Sequence, residues 1–291
     1  MVTRLDIAEV LAAVGRGDRG AAAALARTGD GDLARALASH LTAAADGSVY
    51  DDPAAFEAFI SGGGNVRLYR AVSAVLAGLY DRVRPDRLLD VGTGDGRAVL
   101  PALDASSHRP SALAFVEPSA ALASTLRRKA NDASVHVASA QSYLDSLDAT
   151  TTFDLVESTF ALHAIPPDER DGVLAALARR AGVLAIAEFD VPAFDHGSDA
   201  HLRFLAESYA RGLAEYDADR DLVAAGFLMP VLTGQLAPGA VRSTWEQPAR
   251  SWAEQVERAG FTEIELTRLA DYWWSPGFLL TARGRPDRVS A

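Results

Sequence analysis

Two carboxylates and three glycines crowd into ten positions of the chain, "LLDVGTGDGR", residues 88–97. Asp90 closes a short apolar run. Gly92, Gly94 and Gly96 follow at every second position, with Asp95 between the last two. Glycines at this spacing let a main chain turn tightly and come close to a bound molecule. The usual guest of a glycine turn after a strand is a phosphate, and several features speak against one here. Dinucleotide turns read G-x-G-x-x-G, whereas the third glycine comes one residue early. The carboxylate of Asp90 repels a pyrophosphate and attracts a cation, and Asp95 adds a second negative charge. Lys129 is the only lysine of the chain and follows Arg128, so no Gly-Lys-Ser/Thr phosphate loop exists. Lys129 reads as an exposed helix end, unsuited to a Schiff base with pyridoxal phosphate. Thr125 stands where a Tyr-x-x-x-Lys dehydrogenase pair would need its tyrosine.

A turn of this kind needs a strand before it and a sheet around it. From residue 87 short apolar runs alternate with helical periods. The predicted strands are "RLLDV" (87–91), "ALAFVE" (112–117), "VHVA" (135–138), "FDLVE" (153–157) and "GVLAIAEF" (182–189), with helices in "ALASTLRRKA" and "DERDGVLAALARRA" between them. That alternation means βαβ units, a parallel sheet and right-handed crossovers. Pro101 predicts a short, kinked or late-starting helix after the glycine turn. The helix "QPARSWAEQVERAGF" then ends at Gly260. Two final strands, "TEIELTRLA" and "GFLLTARG", are joined by the hairpin-length "DYWWSP", so they are expected to be antiparallel.

The flanking regions read differently. Residues 1 to about 80 repeat apolar residues at three- and four-residue spacing, as helices do. Gly29 and Gly47 are predicted stops, Asp52 and Pro53 a predicted cap and first helical position, and "SGGGN" a break. Residues 191–246 interrupt the strand–helix alternation with helical segments and read as an insertion. The organisation is therefore a helical N-terminal region (1–80, a lid or dimerisation element), an α/β core (81–190 with 247–285), and a helical lid insertion (191–246).

Composition narrows the chemistry. The 291 residues are 49% hydrophobic and carry a formal net charge of −11, which argues against nucleic-acid and anionic-membrane partners. The absence of cysteine excludes disulfides, thiolate catalysis and cysteine-ligated zinc. The first residues lack a basic stretch followed by an apolar one, and no apolar run is long enough to span a bilayer, so a cytoplasmic location is expected.

The glycine stretch resembles motif I of the class I S-adenosylmethionine-dependent methyltransferases, whose cofactor carries a sulfonium and an ammonium and no phosphate. Three further signals follow in the family's order: Glu117, 21 residues after Gly96; "FDLVESTFALHAIPPDER", similar to the fourth motif; and the closing helix, "AGF", strand, hairpin and strand. The resemblance implies a Rossmann-like α/β fold, with a seven-stranded, mostly parallel sheet whose last strand is antiparallel. It implies S-adenosylmethionine held by Asp90, Gly92, Gly94, Gly96 and Glu117, the last accepting both ribose hydroxyl hydrogens, with Pro118, Ala140, Gln141, Ser158 and Tyr69 completing the cofactor site. The family often has an acidic residue for the adenine amino group after the third strand. Here the sequence reads Ala138-Ser139-Ala140-Gln141-Ser142, so Gln141 or Ser139 would take that contact.

Methyl transfer from a sulfonium is an in-line displacement that mainly requires positioning. A base is needed only where the acceptor loses a proton. His163 follows the fourth strand, where the acceptor would lie, and is the candidate base; its other reading is a loop or packing histidine. The "SGGGN" backbone could seat a carboxylate of the cofactor or acceptor together with Tyr50, Tyr69 and Arg67, or could be a plain hinge. Asp195, His196, Asp199 and His201 match no metal-ligand spacing, so no metal is expected. Trp273, Trp274, Phe160 and Phe194 are candidates for an acceptor pocket or for core, and Trp245 and Trp252 for packing. The expected activity is methyl transfer at oxygen, nitrogen or activated carbon of a small organic acceptor, such as a 2-oxo acid or another secondary metabolite. The competing readings are an NAD-dependent oxidoreductase and a non-catalytic S-adenosylmethionine-binding protein.

Overall fold

The computed structural model describes residues 6–43 and 53–285. Expectations that fall on Tyr50, Gly47 and Asp52 lie outside the described residues. Helices α1 (Ile7–Gly15), α2 (Arg19–Arg27), α3 (Asp32–Thr42), α4 (Pro53–Ser61) and α5 (Gly63–Val83) come first. Strand β1 (Arg87–Val91), α6 (Val99–Ala105), β2 (Ala112–Val116), α7 (Ala120–Lys129), β3 (Ser134–His136), α8 (Ala140–Asp145), β4 (Phe153–Thr159), α9 (Pro167–Ala178) and β5 (Ala181–Phe189) follow. After them come α10 (Asp199–Ala214), α11 (Arg220–Val223), a π-helical turn, α12 (Met229–Gly234), α13 (Ala249–Arg258), β6 (Thr262–Ala270) and β7 (Gly277–Arg283).

The chain divides into two compact units. One comprises the chain up to Arg67, Ala193–Arg242 and Tyr272–Ser275; the other comprises Leu68–Pro192, Ser243–Asp271 and the chain from Pro276 onward. In the helical unit, Asp6 and Asp18 cap α1 and α2 by accepting the amides of Ala8 and Ala21 (3.0 and 2.9 Å). Small buried faces such as Ala22, Ala23 and Ala26 let the helices pack closely. Arg19 donates to the carbonyls of His40 (2.7 Å) and Leu41 (3.0 Å), satisfying groups that the end of α3 leaves open. The joint between the last two strands belongs to this unit. Trp273 stands edge-on to Phe59 and Tyr209 in its core, with ring centroids 6.4 and 5.4 Å apart. Trp274 packs on Phe204 at 5.0 Å.

The second unit is built on a seven-stranded sheet in the order β3-β2-β1-β4-β5-β7-β6. Strands β1 to β5 pair in parallel, and β7 runs antiparallel to both its neighbours. Both faces are covered, so the central strands are almost uninterrupted apolar runs. Successive side chains alternate between two cores. Leu89, Val116, Val156 and Leu184 point to the face covered by α8, α9 and α13; Leu88, Phe115, Leu155 and Val183 point to the face covered by α5, α6 and α7. Helix α6 starts late, at Val99, and Pro101 sits in its first turn, where a missing amide hydrogen breaks no helix bond. Phe115 is fully buried in the second of these cores. Phe115→Ala is expected to lower stability by about 3–5 kcal/mol in urea unfolding, and a loss under 1 kcal/mol would show that this face is not a packed core.

Candidate active site

The carboxyl ends of β1, β2, β4 and β5 lie at one edge of the sheet, where α/β folds bind their ligands. Beyond β1, Gly92, Gly94 and Gly96 adopt φ of 74°, 62° and 86°, a left-handed conformation at each alternate position. Only glycine accepts this run without strain. The amides of Gly92 and Thr93 donate to the Val116 carbonyl at 2.8 and 3.2 Å and tie the turn to the end of β2. A Cβ at position 92 would stand 2.2 Å from the Ala161 Cβ, so the segment after β4 lies directly on the turn. At Gly94 a Cβ would meet nothing within 4 Å; there the main chain faces open space.

Asp90 is 3% exposed and lies opposite Glu157, itself 1% exposed, in the β1–β4 register. Its Oδ1 has no hydrogen-bond partner among the described residues. Burial pushes the Asp90 carboxyl up to about 7; the Thr93 hydroxyl opposes the shift and the charge of Glu117 adds to it. Glu157 accepts the Tyr80 hydroxyl at both oxygens, 2.7 and 2.9 Å. Burial and the Asp90 charge raise its pKa well above the carboxylate range, favouring the protonated form. Asp95 does not add the free negative charge expected of it. Lys129 donates to its Oδ2 (2.9 Å) and carbonyl (3.0 Å), and Arg97 stands 3.3 Å from the same Oδ2. The only lysine thus pins the turn by pairing with a residue 34 positions earlier, an arrangement no local pattern announces.

Glu117 is oriented by main-chain donors, accepting Gly94 N–H at Oε2 (2.9 Å) and Ser119 N–H at Oε1 (2.8 Å). A carboxylate has about four acceptor positions, which leaves room for two ligand hydroxyls. Pro118 follows it directly. Ser158 is buried and donates to the Val91 carbonyl at 2.8 Å, joining β4 to the start of the turn. Tyr69 stands edge-on to Phe160, with centroids 6.1 Å apart, and within electrostatic reach of Arg97 and Asp95. Ala140 is buried at the start of α8. Gln141 is exposed and its amide donates to Asp145 (2.8 Å), while Ser139 caps α8 by accepting the Ser142 amide (3.1 Å). The two residues offered for the adenine contact are therefore engaged within their own helix.

The triple-glycine seat is filled by the chain itself. Gly64 N–H donates to Glu215 Oε2 at 2.7 Å and Arg67 stands 3.5 Å from Oε1 of the same carboxylate. Tyr69, grouped with that seat in the sequence reading, lies in the other unit. Phe194 packs on Phe204 in the helical unit (5.0 Å). Among the described residues no group of three or more histidine, aspartate or glutamate side chains is placed to hold a metal.

His163 sits in a single 3₁₀ turn after β4 (Leu162–Ala164). Its Nδ1 is 2.8 Å from Glu188 Oε2, and its amide donates to Oε1 of the same carboxylate (3.1 Å). An acceptor-only carboxylate places the proton on Nδ1 and leaves the Nε2 lone pair for a substrate proton. Burial disfavours the charged ring, but the carboxylates of Glu188 and, next, Glu246 outweigh it, so the pKa lies above the ordinary value. Phe160, at φ 50°, stacks on Phe189 with centroids 4.5 Å apart beside this turn. The sequence reading missed Glu188 and Glu157. Their one available signal was a carboxylate among apolar strand residues, Glu188 alone in β5 and Glu157 after Asp154 in β4. Arg170 was missed too; it is fully buried over the Trp252 ring, 4.1 Å from its centroid.

Residues 88–181 match the family model described as "Methyltransferase domain". The fold is similar to that of magnesium protoporphyrin IX methyltransferase (ChlM) from Synechocystis PCC 6803 with bound S-adenosylhomocysteine: 14% identity, 79% of this chain and 93% of that one, TM-score 0.51. Residues 88–181 form a methyltransferase domain. The mitomycin 7-O-methyltransferase MmcR has the same fold, at 15% identity over 92% of this chain and 72% of that one, TM-score 0.50. PigF with S-adenosylhomocysteine matches at 19% identity and TM-score 0.46 over 76% of this chain, which spans 65% of PigF's length. No curated protein matches the sequence. Among the described residues, no helix is long and apolar enough to cross a membrane.

The Asp90 shift makes stability depend on pH in a stated direction. With the folded pKa raised to about 7 from 3.8, the native state keeps a proton that the unfolded chain has already lost. Stability is then full below about pH 4 and falls as pH rises toward 7, by at most about 1.4 kcal/mol per pH unit. Urea unfolding of Asp90→Asn, compared with the parent at pH 5 and pH 7.5, is expected to lessen that fall, the raised Glu157 pKa supplying the remainder; parallel curves would place the Asp90 pKa near its ordinary value.

Proposed function

We propose that the methyltransferase transfers the methyl group of S-adenosylmethionine to a hydroxyl oxygen of a small organic acceptor, with His163 as general base. The observation that carries this reading is the pair of a partly buried His163 with a buried Glu188, on the segment that packs against the glycine turn. An amine acceptor is nucleophilic as its free base and gains little from such a pair. A phenol or enol must lose a proton as it attacks, and a base with a raised pKa is better matched to it. The mitomycin 7-O-methyltransferase fold supports an oxygen acceptor.

The residues present fit the cofactor. Asp90 offers a buried carboxylate oxygen lacking a partner, and a cation is the ligand that such a site can gain from. Glu117, held by two amides, would accept two ribose hydroxyls. The open main chain at Gly94 admits a ligand edge. Ser158 and Tyr69 would border the cofactor, with Pro118 and Ala140 toward its adenine. Gln141 serves there only by giving up Asp145. When bound, the cofactor would supply an electrophilic methyl carbon, with the thioether sulfur as leaving group and keeper of the electron pair. His163 Nε2 takes the hydroxyl proton as the acceptor oxygen bonds to that carbon. Glu188 keeps the ring in the Nδ1–H form and stabilises the imidazolium that results. Asp90 and its neighbouring carboxyls disfavour a pyrophosphate, which argues against the oxidoreductase reading.

Glu117→Ala is expected to weaken S-adenosylhomocysteine binding by about 2–4 kcal/mol in titration calorimetry; unchanged affinity removes Glu117 from the site. His163→Asn should cut turnover at least about 100-fold while leaving that affinity intact. Parent turnover should rise with pH through the His163 pKa, above 6.5. The acceptor is sought by incubating phenols, enols and amines with methyl-labelled cofactor and locating the label by NMR. Label only on nitrogen, or full activity in His163→Asn, would overturn the proposal.

A further inference from the structure

Arg170, on α9, is fully buried, an expensive place for a cation in a helix whose neighbouring buried positions are Val173, Leu174 and Leu177. Its contacts show what the charge is used for. Nε donates to Gln255 Oε1 (3.0 Å), and Nη1 donates to the carbonyls of Leu162 and Trp245, each at 3.2 Å. Leu162 immediately precedes His163. Trp245 N–H donates to the carbonyl of His163 at 2.7 Å. The peptide on one side of His163 is therefore held by the guanidinium, and the carbonyl on the other side by a residue the same guanidinium holds. Gln255 is itself fixed: its Oε1 also accepts the Gln247 amide (3.0 Å), and its Nε2 donates to Asp171 Oδ1 (2.7 Å) and the Pro167 carbonyl (3.1 Å). The Trp252 ring closes the guanidinium face.

We propose that Arg170 is a positioning residue for His163, fastening the 3₁₀ turn after β4 to the segment ahead of α13 so that the imidazole stays seated on Glu188. The inference rests on the reading of His163 as the base. The groups that bear on the imidazole are Glu188 from β5, Glu246 from the segment before α13, and Arg170 from α9, the last acting against the two acids. One side chain thus holds the turn and moderates the basicity that two carboxylates would otherwise raise further. Lysine cannot replace it: an ammonium is a compact point charge and does not present the planar fork that serves Gln255 and two carbonyls together.

The test uses the full chain with ¹⁵N-labelled histidine, the His163 signal being assigned by its loss in His163→Asn. In Arg170→Met the His163 pKa should rise by about half a unit or more, and the Trp245 amide should exchange with solvent at least about tenfold faster. Arg170→Lys keeps the charge, so the pKa should stay near that of the parent while Trp245 exchange still quickens. Calorimetric affinity for S-adenosylhomocysteine should remain within about twofold in both. If Arg170→Met does not fold, Arg170→Lys and Gln255→Leu, which removes the Nε acceptor, give the same exchange reading. Unchanged His163 titration in Arg170→Met, or unchanged Trp245 exchange in Arg170→Lys, would overturn the proposal. Neither measurement needs turnover. If His163 responds to Arg170 yet His163→Asn stays active, it is the assignment of the base that fails.

Discussion

Two carboxyl groups on adjacent strands, Asp90 and Glu157, are taken out of water side by side, and much else at this edge of the sheet answers to that. Each negative charge there disfavours the other. Tyr80 donates to Glu157, whose pKa burial and Asp90 raise, and Asp90 is left poised near neutrality with one oxygen lacking a partner. A fold that only needed a stable strand end would place an apolar residue at either position. Keeping both makes this edge a place where a cation gains and an anion loses, and the glycine turn beside it presents main chain where side chains would otherwise stand.

The second device at this edge is steric. Gly92 has room for no side chain because the Ala161 methyl fills that space, so the main chain of the turn after β1 packs on the segment after β4. That contact carries the imidazole of His163 to the neighbourhood of the turn without a long side chain to reach across. Ser158 repeats the tie one strand end earlier, through its bond to the Val91 carbonyl. Rigid elements supply the positions, and the loops between them are short.

How much of this was legible in the sequence varied with the range of the interaction. Strands β1 and β6 are found at the residues read from the pattern, 87–91 and 262–270, because apolar runs between turn residues are local signals. Strand β3 proved shorter than its apolar run and β4 longer, since pairing with neighbours decides where a strand stops. Pro101 announced the late start of α6 through its own covalent geometry. Lys129 looked idle and is not, because its partner Asp95 is distant in sequence. Glu188 and Arg170 fall within a predicted strand and a predicted helix, with nothing local to single them out. Their roles depend on residues 25 and 85 positions away, which periodicity does not record.

The carboxylate that occupies the start of α5 has a further consequence. Glu215 is tethered to the seat it fills, so its local concentration there is set by the chain and not by the solution. A dissolved acid would have to displace a competitor that never diffuses away, and millimolar metabolites are poor rivals for such a guest. Three consecutive glycines, which in isolation advertise an anion receptor, serve in this molecule as an internal fastening that neither nutrient levels nor buffer composition should disturb.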